Sequence, residues 1–417
     1  MNGETSVRVN LNRSRGSKNM KDVSEGKEPG YWDLALKIHY LSEIGSREFE
    51  SSRILMKVLG DNGFRVAGNF MNIPTAFKAE KVIGNGSPSV AFLAEYDALP
   101  GIGHACGHNL IASSAVYSAI RATEKIENGT VSVFGTPDEE GSGEWSGSKI
   151  IMAEKGAFKN VDLVLGSHPG DRWSVGDPSL ADLDYEVTFK GKAAHEAANP
   201  DSGRSALDAA VLTYTAVNML RQHVRRDVNF VMHGIIKEGG TASNVTPERA
   251  VLTYGIRTSD IEYHKDVVRR FKKIVEGCAN ATETTYSIKE IGMMYSTTKV
   301  NMPLSNKVRE KLVERGIECL PLEKTLSKIP EGSTDFANVT QVVPALELQF
   351  KIAPEGTPWH SRESLEAARS AEAKRVLSEV IDVLSDTAEE FTRNSAFREA
   401  VKNDFHSPQS VLSRRGS

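Results

Sequence analysis

The stretch VAFLAEYDALPGIGHACGHN, residues 90–109, decides how the chain is read. It begins as a short apolar run, VAFLAEYD at 90–97, of the kind a sheet buries on both faces. A glycine-rich turn follows, and then a helical pattern over 107–127. Strand, turn and helix in that order are α/β grammar, in which residues that carry chemistry gather at the carboxyl ends of strands. The turn concentrates Asp97, His104, Cys106 and His108. Carboxylate, imidazole and thiol together suit a borderline-soft ion such as zinc, and manganese or cobalt less selectively. Gly103 and Gly107 let the backbone turn tightly enough for Cys106 and His108 to reach one centre. The same residues also suit a purely structural turn with a buried thiol, so the neighbouring segments carry the decision.

Those segments repeat the pattern. VSVFGT at 131–136 runs into GTPDEEGSGEWSG at 135–147, which holds Asp138, Glu139 and Glu140. Adjacent acids at a turn are usually solvated, but beside a metal one can ligate while its neighbour moves a proton. VDLVLGSH at 161–168 places His168 at a strand end, and GTPWHS places His360 in a late loop. The text changes after Leu183: DYEVTFKGKAAH alternates like a strand, 205–224 is a strong helix, and further strands surround a second helix from Tyr263 to Cys278. The expected fold class is α/β: a mixed-sheet catalytic domain over 30–184 and 299–390, interrupted by a smaller α+β domain over 185–298. A helical pattern from Trp32 to about Leu59 opens it, and a helix from about Ser364 to Glu389 closes it. Residues 1–29 and 391–417 lack a sustained apolar period and read as flexible termini. Within the insert, Lys192, His195, Arg204 and Asn244 sit in turns from which they can face a substrate oxyanion or carboxylate, or simply satisfy loops and cap helices.

Composition narrows the function classes. Of 417 residues, 51 are Lys or Arg and 55 are Asp or Glu, a net charge of −4, and no long basic block occurs, so a nucleic-acid partner is not expected. The sequence holds no run of 18 apolar residues and begins with polar text lacking a signal-peptide core, so no membrane partner is expected. Three cysteines, Cys106, Cys278 and Cys319, are too few and too scattered for a disulfide framework, which points to a reducing, cytoplasmic setting.

Taken together, LAEYDALPGIGHACGHNLIA, GTPDEEG, LGSHP, FKGKAAHEAANPDSGRSALDA, GGTASNVTPERA, GSTDFANV and TPWHS resemble the M20 family of metallopeptidases and amidohydrolases. Within it the text is similar to the M20D branch, nearest to the M20-domain-containing protein 2 (dipeptidase-like) and aminobenzoyl-glutamate hydrolase group. The resemblance implies two divalent metal ions, zinc or manganese with cobalt as a further option, held by Cys106, His108, Glu140, His168 and His360, with Cys106 bridging. It implies Glu139 as general base and acid, with Asp97 orienting a ligand. His195 would reach in from the insert, in cis or across a dimer, to steady the oxyanion, with Asn244 and Arg204 binding substrate. The insert would act as a lid and dimerisation domain, giving a homodimer or higher homo-oligomer. The implied substrate is a small N-acyl amino acid or dipeptide cleaved at its amide bond. Two alternatives stand beside it: an aromatic or xenobiotic amino-acid conjugate, with Trp145 and Trp173 as pocket rims, and a non-catalytic scaffold retaining the fold. The chain departs from the auxin-conjugate and hippurate-type pattern in lacking a glutamate after DALP, in reading PDEE for PAEE, and in its more polar GSGEWSGSK.

Overall fold

The computed structural model describes residues 30–330 and 332–407, so the expected leader at 1–29 and the last residues, 408–417, lie outside the described residues. The chain opens with helices α1 (Tyr31–Leu41) and α2 (Phe49–Asp61), then strands β1 (Arg65–Gly68), β2 (Phe77–Ile83) and β3 (Ser89–Ala94). Helix α3 (His108–Lys125), β4 (Gly129–Gly135), α4 (Ser148–Glu154), β5 (Leu163–Gly170) and β6 (Ser174–Val175) follow. A second unit is then built from β7 (Ala181–Lys190), α5 (Ala206–Leu220), β8 (Phe230–Glu238), β9 (Arg249–Thr258), α6 (Ile261–Ala281) and β10 (Thr285–Tyr295). The chain returns to the first unit through α7 (Met302–Glu314), α8 (Leu322–Leu326), α9 (Phe336–Val342), β11 (Ala345–Lys351), α10 (Arg362–Ala367), α11 (Ala371–Arg393) and α12 (Ser395–His406).

The larger unit is a seven-stranded mixed sheet in the order β1-β2-β4-β3-β5-β11-β6. Its centre, β4-β3-β5-β11, is parallel, and antiparallel strands close both sides. Parallel strands need cover on both faces, which explains why β3 and β5 are nearly continuous apolar text. One face packs on α3 and α11, where Leu110, Val116, Val376 and Val380 join Phe92 and Leu165 in the main core. The other buries Leu93, Phe134 and Val164 against Phe158 and Phe336. The smaller unit is a four-stranded antiparallel sheet, β10-β7-β9-β8, with α5 and α6 on one face. Along β7 the inward residues Leu183, Tyr185, Val187 and Phe189 are buried and alternate with partly exposed ones, the period-two pattern of a sheet covered on one side. This two-unit α/β architecture is the expected fold class.

One local expectation is refined and one is corrected. The helical text from Trp32 to Leu59 is two helices, because Ser42 at φ 46° and Ser46 at φ 64° take the left-handed conformation and turn the chain between α1 and α2. Residues after 391 do not fray where they are described. Asn394 accepts a hydrogen bond from the Phe397 amide at 3.0 Å and starts α12, whose Phe397 and Val401 are buried. The Phe397 ring meets Phe391 edge-on at 6.3 Å. Three apolar residues at four-residue spacing, Phe397, Val401 and Phe405, suffice for one packed face but are too few to stand out as a period.

Candidate metal centre and active site

The carboxyl edge of the parallel strands collects the candidate ligands. β3 ends just before Glu95 and Asp97, and β4 ends just before the turn bearing Glu139 and Glu140. His168 lies within β5, which continues to Gly170, and Gln349 of β11 is its neighbour in register. His108 is the first residue of α3, placed by Gly107 at φ 80°, where a Cβ would come within 2.5 Å of Pro169. Only glycine permits that approach between the HACGH turn and the HP turn.

Three overlapping groups of side-chain atoms, each within 4.8 Å of one another, result: Cys106 with His108 and His168; Cys106 with Glu140 and His360; and Glu95 with His108 and Glu139. Cys106 Sγ is 3.5 Å from His168 Nε2. The Nδ1 of His108 lies 2.8 Å from Asp97 Oδ1, and Asp97 Oδ2 also accepts the Glu140 amide at 2.9 Å. Asp97 therefore holds a ring and a turn at once, the orienting part expected of it. His108 Nε2 makes no hydrogen bond and instead faces Glu95, Glu139 and Glu140 at 3.4, 3.7 and 3.8 Å. His360 Nε2, on a more exposed loop, reaches Glu140 at 3.5 Å.

Whether these residues fit a divalent cation can be judged from their unmet needs. His108 Nε2, Glu95 Oε2 and Glu140 Oε1 are buried without hydrogen-bond partners and converge on one space. Such groups are costly when left unpaired, and a cation satisfies all of them together. Burial pushes the Cys106 thiol well above its usual range, so its thiolate requires a positive partner. Burial also lowers His168 to about 4, keeping the ring neutral and its lone pair available. Burial, with the charge of Glu95 behind it, raises Glu139 well above the ordinary carboxylate range. The donor set fits.

Beneath the cluster lies a network that sequence reading missed. Lys149, fully buried, reaches Glu95 at 2.9 Å and forms an ion pair with Asp335. Burial disfavours its charge, but Asp335, Glu95 and Glu139 outweigh that and hold it protonated. Asp138, at φ 60°, accepts hydrogen bonds from Ser46 Oγ at 2.5 Å and from the amides of Gly143 and Trp145 at 3.0 Å. It thus pins the loop between α1 and α2, and the GSGEW loop, to the turn that carries Glu139.

A cavity of about 790 Å³ opens on the cluster, lined by Cys106, Glu139, Glu140, His168 and His360. Asp182, Arg257 and Tyr295 reach its wall from the smaller unit. The residues first picked out in that unit lie elsewhere in the chain. His195 and Asn244 are exposed around a bridge between His195 and Val245, and Arg204 donates to Glu283 Oε2 at 2.7 Å. Lys192 is exposed and pairs through its backbone with Arg204. The two tryptophans expected at the rim are corrected: Trp173 packs on Phe350, and Trp145 packs against the core on the Phe134 face of the large sheet. Trp359, beside His360, lines the cavity instead.

A two-unit α/β protein with this donor cluster at its strand ends belongs to a defined class. The family model "Peptidase family M20/M25/M40" matches residues 91–383, more than half of the sequence, and the chain belongs to that family. Among similar proteins, the Xaa-Arg dipeptidase of Mus musculus is 36% identical over 344 residues, covering 80% of this chain and 78% of the relative. A p-aminobenzoyl-glutamate hydrolase chain of Escherichia coli is 36% identical over 286 residues, 63% of this chain and 58% of that one. A solved Bacillus subtilis protein, described as a dinuclear metal binding peptidase from the M20 family, has the same fold at a TM-score of 0.62 and 20% identity, covering 85% of this chain and 97% of its own. The chain is in general terms a metal-dependent amide-bond hydrolase acting on small acylated amino-acid or dipeptide-like substrates. Among the described residues no helix is long and apolar enough to cross a membrane.

Proposed function

We propose that this chain hydrolyses the amide bond of a dipeptide or small N-acyl amino acid as a dipeptidase-like member of the M20D branch. The observation that carries the reading is the convergence of His108 Nε2, Glu95 Oε2 and Glu140 Oε1, all buried without partners, beside Glu139. Cys106, His108, Glu140, His168 and His360 would hold two divalent ions, zinc or manganese, and Glu95 is a further donor within reach. Ions bound there supply Lewis acidity to the amide carbonyl and lower the pKa of water. Glu139 accepts the proton of the attacking water and delivers it to the departing nitrogen. Asp97 keeps the His108 ring aimed, and Asp138 keeps the Glu139 turn in place.

The second protomer completes the proposal. α5 and the edge strand β8 expose Val211, Leu212, Met219, Val231 and Ile235, with Met219 58% and Ile235 60% accessible. An apolar edge strand beside an apolar helix face is the kind of surface that another copy covers. In such a homodimer His195, Asn244 and Arg204 would serve the partner's cavity, His195 at the oxyanion. A thiolate ligand favours the reducing cytoplasm as the working location.

The test is metal content and hydrolysis together. Gently purified protein should carry zinc or manganese, up to two ions per chain, and release free amino acids from a panel of dipeptides and N-acyl amino acids read by mass spectrometry. Chelation should stop turnover and metal restore it. Glu139→Gln should keep its metal and lose about 10²–10⁴-fold in kcat. Undiminished turnover by metal-free protein, or by the variant, would sink the reading.

A further inference from the structure

Glu48 is a fully buried carboxyl that the hydrolytic chemistry leaves without a task. It occupies the N-cap position of α2, where an acidic side chain ordinarily accepts the first free amides of the helix. Its side chain makes no such bond. Glu43 performs that task from the preceding loop, its carboxylate accepting the amides of Glu50 at 3.0 Å and Ser51 at 2.7 Å. The Glu48 side chain is left to turn inward. There Oε2 accepts the Thr75 hydroxyl at 3.0 Å, and Oε1 accepts the Asp138 amide at 2.9 Å.

The second of these bonds bears on the chemistry. Asp138, at φ 60°, is left-handed, a conformation that costs about 1–3 kcal/mol for a residue other than glycine and persists only where its surroundings hold it. On the other side of Glu139, the Glu140 amide donates to Asp97 Oδ2 at 2.9 Å. Glu139 is therefore flanked by two amides, each held by a buried carboxylate from a different part of the fold: Glu48 at the start of α2, and Asp97 in the turn after β3. Burial, with the charge of Asp97 adding to it, raises Glu48 to about 7, so its two hydrogen bonds only partly offset the cost of keeping a carboxylate there. An apolar side chain would fill the same space without that cost. We propose that Glu48 is a positioning residue for the general base: it fixes the Asp138 amide, and through it the direction from which Glu139 meets the attacking water. This rests on the hydrolase reading above.

The experiment compares the metal-loaded full chain with Glu48→Met, which fills the site but accepts no hydrogen bond, and with Glu48→Gln, which keeps an acceptor for the amide. On the dipeptide or N-acyl amino acid that the parent cleaves fastest, Glu48→Met should lower kcat by about 100-fold, with KM within about threefold and metal content unchanged. Glu48→Gln should restore kcat to within about fivefold of the parent. Hydrogen exchange read by mass spectrometry should be about tenfold faster in Glu48→Met over residues 138–141, and unchanged in α11. Parental kcat in Glu48→Met overturns the assignment, as does a Glu48→Gln no better than Glu48→Met. Exchange that quickens equally in α11 overturns it too, because Glu48 would then serve stability alone. Should Glu48→Met not fold, Glu48→Asp decides: it keeps the charge, withdraws the acceptor by about 1.5 Å and should lower kcat by about tenfold, and a parental kcat overturns the assignment. A parent that cleaves none of these amides overturns the hydrolase reading, and the role of Glu48 with it.

Discussion

Lys149 is the residue on which the centre leans most heavily without touching substrate. Its ammonium is buried between Glu95 and Asp335, so removing it strands two carboxylates in a low dielectric. Lys149→Met should destabilise the protein by about 3–5 kcal/mol and loosen metal retention, measured by denaturant unfolding and metal titration. Stability and metal content equal to the parent's would show that the network is idle. Cys106, His108, Glu139, Glu140, His168 and His360 were legible in the sequence because each stands in a short polar turn following an apolar run or beside a proline. Glu95, Lys149 and Asp335 were not, because no spacing ties them together. Glu95 reads as part of a strand and Lys149 as the start of an ordinary helix, until the fold brings β3, α4 and α9 to one edge.

At the scale of elements, strands and long helices followed their apolar periods closely, and the exceptions have local causes. The left-handed Ser42 and Ser46 break the first helical text, and the break has a purpose, since Ser46 Oγ donates to Asp138 and accepts the Trp145 amide at 2.8 Å. α12 is short, and its hold on the body comes from contacts distant in sequence, such as Asn301 Nδ2 donating to the Val401 carbonyl at 2.8 Å. Phe397→Ala should therefore cost about 3 kcal/mol of unfolding free energy, read by urea denaturation. A change under about 0.5 kcal/mol would mean that α12 contributes nothing to the fold.

For the whole molecule, the division into two units was readable because the hydrophobic period changes from continuous to alternating near Leu183. Which residues of the smaller unit face the cavity was not readable, since polar turns and polar strand ends look alike in sequence. Asp182, Arg257 and Tyr295 are in the wall, whereas His195, Asn244 and Arg204 are not. If a second copy covers α5 and β8, then Met219→Glu combined with Ile235→Lys should give a monomer by light scattering and a much lower kcat. A parent that is itself monomeric and fully active would remove both the dimer and the shared His195. The smaller unit is joined to the larger one by two neighbouring crossings of the chain. It leaves and rejoins at adjacent positions, with Asp182 opposite Tyr295, so its two ends stand about 5 Å apart. It is a cassette: excised and replaced by a short glycine link, it takes no strand out of the seven-stranded sheet and none of the proposed ion-holding side chains. Recombination can therefore exchange one wall of the cavity, and the proposed oxyanion residue His195 with it, as a single block, letting substrate choice evolve while the ion-holding side chains and Glu139 are inherited unchanged.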